Sequence, residues 1–205
     1  VLRAAVHGNI WIMAPMVSTI SEIVEFRKVV EEEASRLESR GIPVGRPRIG
    51  VMVEVPSIAL QADAAAEHVD FFSIGTNDLT QYTLAADRVN ADVAHIYDHA
   101  HPSVLRLVKM VVNAAEAKNR IVGVCGEAGS DPDVAPILLG LGVRRLSVAP
   151  NQIPFVRYFV SRMKMSEASS IANKALSAVS PVEVRNYGRR IIGENAVFES
   201  NGLIF

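Results

Sequence analysis

The chain has a single cysteine, Cys125, in 205 residues, so no disulfide can form within it. A reducing, cytoplasmic setting fits that usage. Net charge is almost absent: 21 Lys and Arg stand against 22 Asp and Glu, giving −1 at pH 7. Phosphate backbones are bound by basic faces, so this balance speaks against a nucleic-acid partner. No apolar run is long enough to span a membrane, and no signal-peptide pattern is present. No Gly-x-Gly-x-x-Gly turn follows any strand-like run, which disfavours a dinucleotide-binding sheet. The first residues, VLRAAVHGNI, lack an initiating methionine and read as the tail of a helix, so the expectation is a segment of a longer chain.

What is present is apolar and periodic. Hydrophobic residues make up 49% and charged residues 21%, enough to bury a sizeable core in about one domain. Strand-like runs lie at 10–16 (IWIMAPM), 48–54 (RIGVMVE), 69–74 (VDFFSI), 121–125 (IVGVC) and 145–148 (RLSV). Helical patterns separate them. Thr19-Ile-Ser-Glu22 resembles a capping box, and Gly41 sits where that helix would end. Pro56 opens an alanine-rich helix, and residues 103–118 place Val104, Leu107, Val108, Val111, Val112 and Ala115 on one face. Asp131-Pro132 reads as an N-cap with proline at the first helical position. Nearly all-apolar strands alternating with helices predict parallel strands covered on both faces, in a barrel or a doubly wound sheet. Past Pro150 only helical patterns remain, and residues 193–205 show no periodicity.

Each central strand ends in chemistry: Glu54 after the second, Thr76, Asn77 and Asp78 after the third, Cys125, Gly126 and Glu127 after the fourth. In parallel α/β folds the loops at the C-terminal strand ends converge, so these residues are aimed at a common space. Two carboxylates without a neighbouring histidine suit a hard cation such as magnesium, which takes its remaining ligands from water and substrate phosphate. Asn77 and Arg88 would hold the accompanying anion, Arg88 with its planar fork, while Gly75 and Gly126 let backbone approach a ligand. Plainer readings stand beside these. Asp78 suits a helix N-cap, Cys125 a buried small hydrophobe and Arg88 a solvated helix-end charge. His95, His99 and His101 in HIYDHAHP lack metal-site spacing and read as loop or surface residues. Met13, Met16 and Met52 read as core.

Five motifs carry a family resemblance: IWIMAPM, IGVMVEVP, VDFFSIGTNDLTQYTLAADR, HPSVLRLVKMVV and GVCGEAGSDP. They resemble the phosphoenolpyruvate-binding barrel of enzyme I of the bacterial sugar phosphotransferase system, from about residue 2 to residue 178. The resemblance implies an α/β fold of the (β/α)₈ TIM-barrel family, with this chain covering about strands 4 to 8 of it. Residues 1–192 would then be a partial phosphoenolpyruvate-binding barrel, and 193–205 an irregular tail. It implies Glu54 and Asp78 as magnesium ligands, Asn77, Arg88 and Gly126 as substrate-binding residues, and Cys125 as proton donor at the methylene carbon. A thiol, with a reference pKa of about 8.5, is a neutral acid at cytoplasmic pH, where a carboxylate is ionised and a poor donor.

By the same resemblance, the phosphoryl group of phosphoenolpyruvate passes to a histidine of an N-terminal domain and on to the carrier protein HPr, releasing pyruvate. The family's other substrate arginines and that histidine would precede Val1, so the chain alone is expected to be inactive and prone to self-association through unpaired edges. A homodimer is implied as well. Pyruvate phosphate dikinase and phosphoenolpyruvate synthase share the S-x-G-T-N-D theme and form one alternative. A magnesium-dependent enolate lyase or aldolase, or a non-catalytic dimerisation module, forms another.

Overall fold

A computed structural model describes residues 1–192; the expected irregular tail at 193–205 lies outside the described residues. Five strands alternate with helices: β1 (Trp11–Ala14), α1 (Ile20–Glu38), β2 (Arg48–Val53), α2 (Pro56–Leu60), α3 (Ala62–Ala65), β3 (Phe71–Gly75), α4 (Thr76–Leu84), α5 (Pro102–Ala117), β4 (Ile121–Cys125), α6 (Ala135–Leu141) and β5 (Arg145–Ser147). Three helices follow, α7 (Ile153–Arg162), α8 (Met165–Ala175) and α9 (Pro181–Ile192). All strand pairs are parallel, in the order β1-β2-β3-β4-β5. A doubly wound sheet reverses its strand order at a switch point. This order never reverses, so the sheet is singly wound, as in barrel-type folds. No helix among the described residues is long and apolar enough to cross a membrane.

Local signals explain most of the element boundaries. The capping box is real: the Glu22 carboxylate accepts from Thr19 N at 2.8 Å at the start of α1. His101 caps α5, its Nδ1 accepting from Ser103 N at 3.2 Å, with Pro102 in the first turn. Asp131-Pro132 is a correction. α6 starts only at Ala135, and the Asp131 carboxylate instead accepts from Asp133 N at 2.8 Å in a turn ahead of the helix. It is drawn away by long-range partners described below.

Register divides the sheet into two unlike faces. Ile49, Val51, Val53, Phe72, Ile74, Val122 and Val124 point toward the helices and are 5% exposed or less. All but Ile49 pack with Ile58, Leu79, Val104, Val108 and Val111 into one core, each buried aliphatic contributing roughly 1.5–3 kcal/mol. The alternate residues form the opposite face: Met13, Met52, Phe71, Ser73, Cys125 and Arg145. Here Trp11 packs on Phe71 with centroids 4.7 Å apart, and Arg145 and Arg48 stack on its ring at 3.9 and 4.9 Å. The expectation that Met13 and Met16 lie in the core is corrected: both are exposed. On that face Phe71 is buried, while Met52, Ser73 and Cys125 are only partly so. At its C-terminal edge Gly75, Cys125 and Ser147 share one row.

Candidate active site

Glu54 immediately follows β2 and is buried, 5% exposed. Its Oε1 accepts from the backbone N–H of Met16 at 2.6 Å. Met16 holds φ at +52°, a left-handed conformation costly for a side chain of its size, and that turn aims the amide at the carboxylate. Oε2 has no donor among the described residues; it faces Gly75, where a Cβ would come within 2.9 Å of it. A side chain at position 75 would therefore fill the space into which this oxygen opens.

Asp78 is the third residue of α4, whose N-cap is Gly75 and carries no side-chain cap. The capping reading is thus not realised, although a negative charge in the first turn does favour the helix dipole. The Asp78 carboxylate forms no hydrogen bond or ion pair with any described residue, and no such contact joins Glu54, Asp78 and Arg88 to one another. Asn77, beside it, is held firmly. Its Oδ1 accepts from Glu127 N at 3.1 Å, which leaves the NH₂ end of the amide to donate. Its backbone carbonyl accepts from the Tyr97 hydroxyl at 3.2 Å.

Gly126 makes this contact possible. Its φ of +108° and ψ of −179° belong to glycine, and a Cβ there would lie 2.5 Å from Thr76 Oγ1 and 2.8 Å from Asn77 Oδ1. Thr76 Oγ1 donates to the Cys125 carbonyl at 3.2 Å, tying the start of α4 to the end of β4. The Cys125 thiol is half-buried and stands outside the aliphatic core, within 3.6 Å of both Ser73 Oγ and the Ile74 carbonyl. Arg88 is exposed beyond α4, its guanidinium beside the Tyr97 phenol. Burial pushes that phenol's pKa up, with Glu127 and Asp78 acting in the same direction and Arg88 opposing.

The sequence reading missed Ser73, Tyr97 and the Met16 amide. The last is a backbone group and leaves no trace in residue identity. Tyr97 lies in the loop read only for its histidines, and that reading also needs correction: His99 is largely buried, with Nε2 2.7 Å from Asp131 Oδ2. A hidden partner 32 residues away is what draws it inside.

The donor set fits a hard cation. It offers a buried carboxylate with one uncommitted oxygen and a second carboxylate without hydrogen bond or ion pair among the described residues, on consecutive strand ends. Among the described residues no three His, Cys, Asp or Glu side chains could hold a metal together, so water and substrate would supply the other ligands.

A singly wound parallel sheet with carboxylates, an amide and a thiol gathered at its C-terminal strand ends is the arrangement of barrel-type α/β domains. The family described as PEP-utilising enzyme, PEP-binding domain, matches residues 1–165, and the chain belongs to that family. It is 44% identical over 184 residues to the phosphoenolpyruvate-protein phosphotransferase of Bacillus subtilis, strain 168, covering 89% of this chain and 32% of that protein. With the protein of the same name from Lactococcus lactis subsp. cremoris it shares 41% over 183 residues, again 89% of this chain and 32% of the other. The chain thus spans about a third of the length of these curated relatives. Among solved structures, a citrate lyase from Burkholderia xenovorans LB400 superposes with a TM-score of 0.56 at 19% identity, over 90% of this chain and 63% of that one. That likeness speaks for the fold alone.

Proposed function

We propose that this chain is the phosphoenolpyruvate-binding part of an enzyme I. In that protein the phosphoryl group of phosphoenolpyruvate moves to a histidine of a separate N-terminal domain and then to HPr, leaving pyruvate. Residues 1–192 would form about strands 4 to 8 of an eight-stranded barrel in a cytoplasmic homodimer. The observation that carries the reading is a buried Glu54 with one oxygen uncommitted and an Asp78 without hydrogen bond or ion pair among the described residues, the latter next to an Asn77 amide whose donor end is unused there.

In this reading Glu54 and Asp78 hold magnesium. The chemistry that ion supplies when bound is neutralisation of charge on the phosphate and enolate oxygens as the P–O bond breaks. Asn77 donates to the anion through its NH₂ group, and Arg88 presents its fork to the phosphate. The Cys125 thiol gives its proton to the methylene carbon of the enolate: the S–H bond breaks, a C–H bond forms, and a thiolate remains. Ser73 Oγ, 3.6 Å from the sulfur, is in place to donate to it. The lyase alternative has only fold likeness at 19% identity behind it, whereas the relatives above 40% identity carry the phosphotransferase name. The test is pyruvate release coupled to phosphorylation of the N-terminal domain histidine in the full natural chain, with magnesium present. Phosphoenolpyruvate consumption that leaves that histidine unlabelled would overturn the reading.

A further inference from the structure

Asn77 is gripped from two sides. The loop after β4 reaches its Oδ1 through Glu127 N, and the loop before α5 reaches its carbonyl through the Tyr97 hydroxyl. Both loops continue into the same ion-paired cluster. Asp98 and His99 follow Tyr97, and Asp131 lies four residues past Glu127. His99 Nε2 stands 2.7 Å from Asp131 Oδ2, joining the two loops directly. Arg185 on α9 joins them a second time, donating to Asp131 Oδ2 at 2.7 Å and Asp98 Oδ1 at 2.8 Å. The carboxylates are also braced locally, Asp98 Oδ1 accepting from Ala100 N and Asp131 Oδ1 from Asp133 N, each at 2.8 Å. The cluster is well shielded, with side-chain exposures of 13% for His99 and Asp131 and 26% for Arg185.

Resting on the phosphoenolpyruvate reading, we propose that Tyr97 is a positioning residue for the anion site, holding Asn77 in place, and that α9 sets its position through Arg185. The hydroxyl holds the Asn77 backbone while Glu127 N holds its side-chain oxygen, so the two loops together fix the residue. Tyr97 needs a fixed loop for this. A single guanidinium bridging carboxylates from both loops supplies one, and the compact ammonium of a lysine cannot span the same pair. None of Asp98, His99, Asp131 or Arg185 touches Asn77 or Arg88, so their influence on the site passes through Tyr97 and Glu127.

The test uses the full natural chain, with phosphoenolpyruvate and magnesium titrated by calorimetry. Tyr97→Phe removes only the hydroxyl and is expected to weaken binding by about threefold to tenfold, the worth of one ordinary hydrogen bond. In an Asn77→Ala background the same change should cost less, because the hydroxyl acts on the site through Asn77. Arg185→Met should weaken binding in the same direction, and Arg185→Lys should fail to restore it. Binding of Tyr97→Phe equal to wild type, or losses that add fully in the double variant, would overturn the proposal. Hydrogen exchange provides a second arm that needs no ligand. Faster exchange across residues 76–88 in Tyr97→Phe and Arg185→Met supports the strap, and unchanged exchange overturns it. A wild-type chain that binds no phosphoenolpyruvate would defeat the functional reading, while exchange would still decide whether the strap exists.

Discussion

The backbone N–H of Met16 donates to Glu54 Oε1 at 2.6 Å, so one oxygen of a buried carboxylate is spent on the preceding loop and the other stays open. A strained turn at Met16 makes that division of labour possible. The division separates what Glu54 does for the fold from what it would do for a metal.

Glu54→Gln keeps an acceptor for the Met16 amide and removes the charge. Its melting temperature without metal should stay within about 4 °C of wild type, the effect of roughly 1 kcal/mol. Magnesium should raise the melting temperature of the wild type and leave the variant unmoved. A variant that magnesium still stabilises would show that Glu54 is not a ligand.

Cys125→Ala should bind phosphoenolpyruvate and magnesium normally and lose about 10²–10⁴-fold in protonation of the enolate, the usual cost of deleting a general acid. Proton exchange at the pyruvate methyl group measures that step alone. Exchange at the wild-type rate would return Cys125 to a packing role.

Gly126→Ala introduces a Cβ at φ +108° and against Thr76 Oγ1 and Asn77 Oδ1. Denaturant unfolding should show a loss of about 1–3 kcal/mol. Phosphoenolpyruvate binding should fall as well, because the displaced groups belong to the site. An unfolding midpoint equal to wild type would mean the backbone relaxes without strain.

Acid should loosen the α9 attachment. Burial pushes the Asp131 pKa up, but hydrogen bonds and charge from His99 and Arg185 outweigh it, bringing the carboxyl down from 3.8 to about 2. A carboxylate depressed on folding stabilises the fold above its unfolded pKa, and that stabilisation is lost as pH falls toward the folded value. The contribution is about 2 kcal/mol. Stability measured between about pH 5 and pH 2 should therefore fall less steeply in Asp131→Asn than in wild type. Equal slopes would show that the carboxylate is not held in this way.

How far the sequence revealed the fold depended on the range of the interactions. The strands were legible because Val51, Val53, Phe72, Ile74 and Val124 form unbroken apolar runs. Capping at Thr19 and Glu22 needed only four consecutive residues. The strand-end residues were legible by position, since a parallel sheet sends its C-terminal ends to one side. The exposure of Met13 and Met16 was not, because a methionine looks the same whether covered or exposed. Nor was the Asp131 cluster, whose partners His99 and Arg185 lie 32 and 54 residues away. Asp131 followed by Pro132 imitates a helix start, and only tertiary contacts show that its carboxylate is engaged elsewhere.

The most direct test of the site is calorimetric titration of the full natural chain with phosphoenolpyruvate, with and without magnesium, for wild type and for Asp78→Ala. Asp78 has no hydrogen bond or ion pair to lose among the described residues, so its removal probes the ligand site with little structural cost. The expected result is magnesium-dependent binding in the wild type and none in the variant. Equal, magnesium-dependent binding by both would contradict a metal site shared by Glu54 and Asp78.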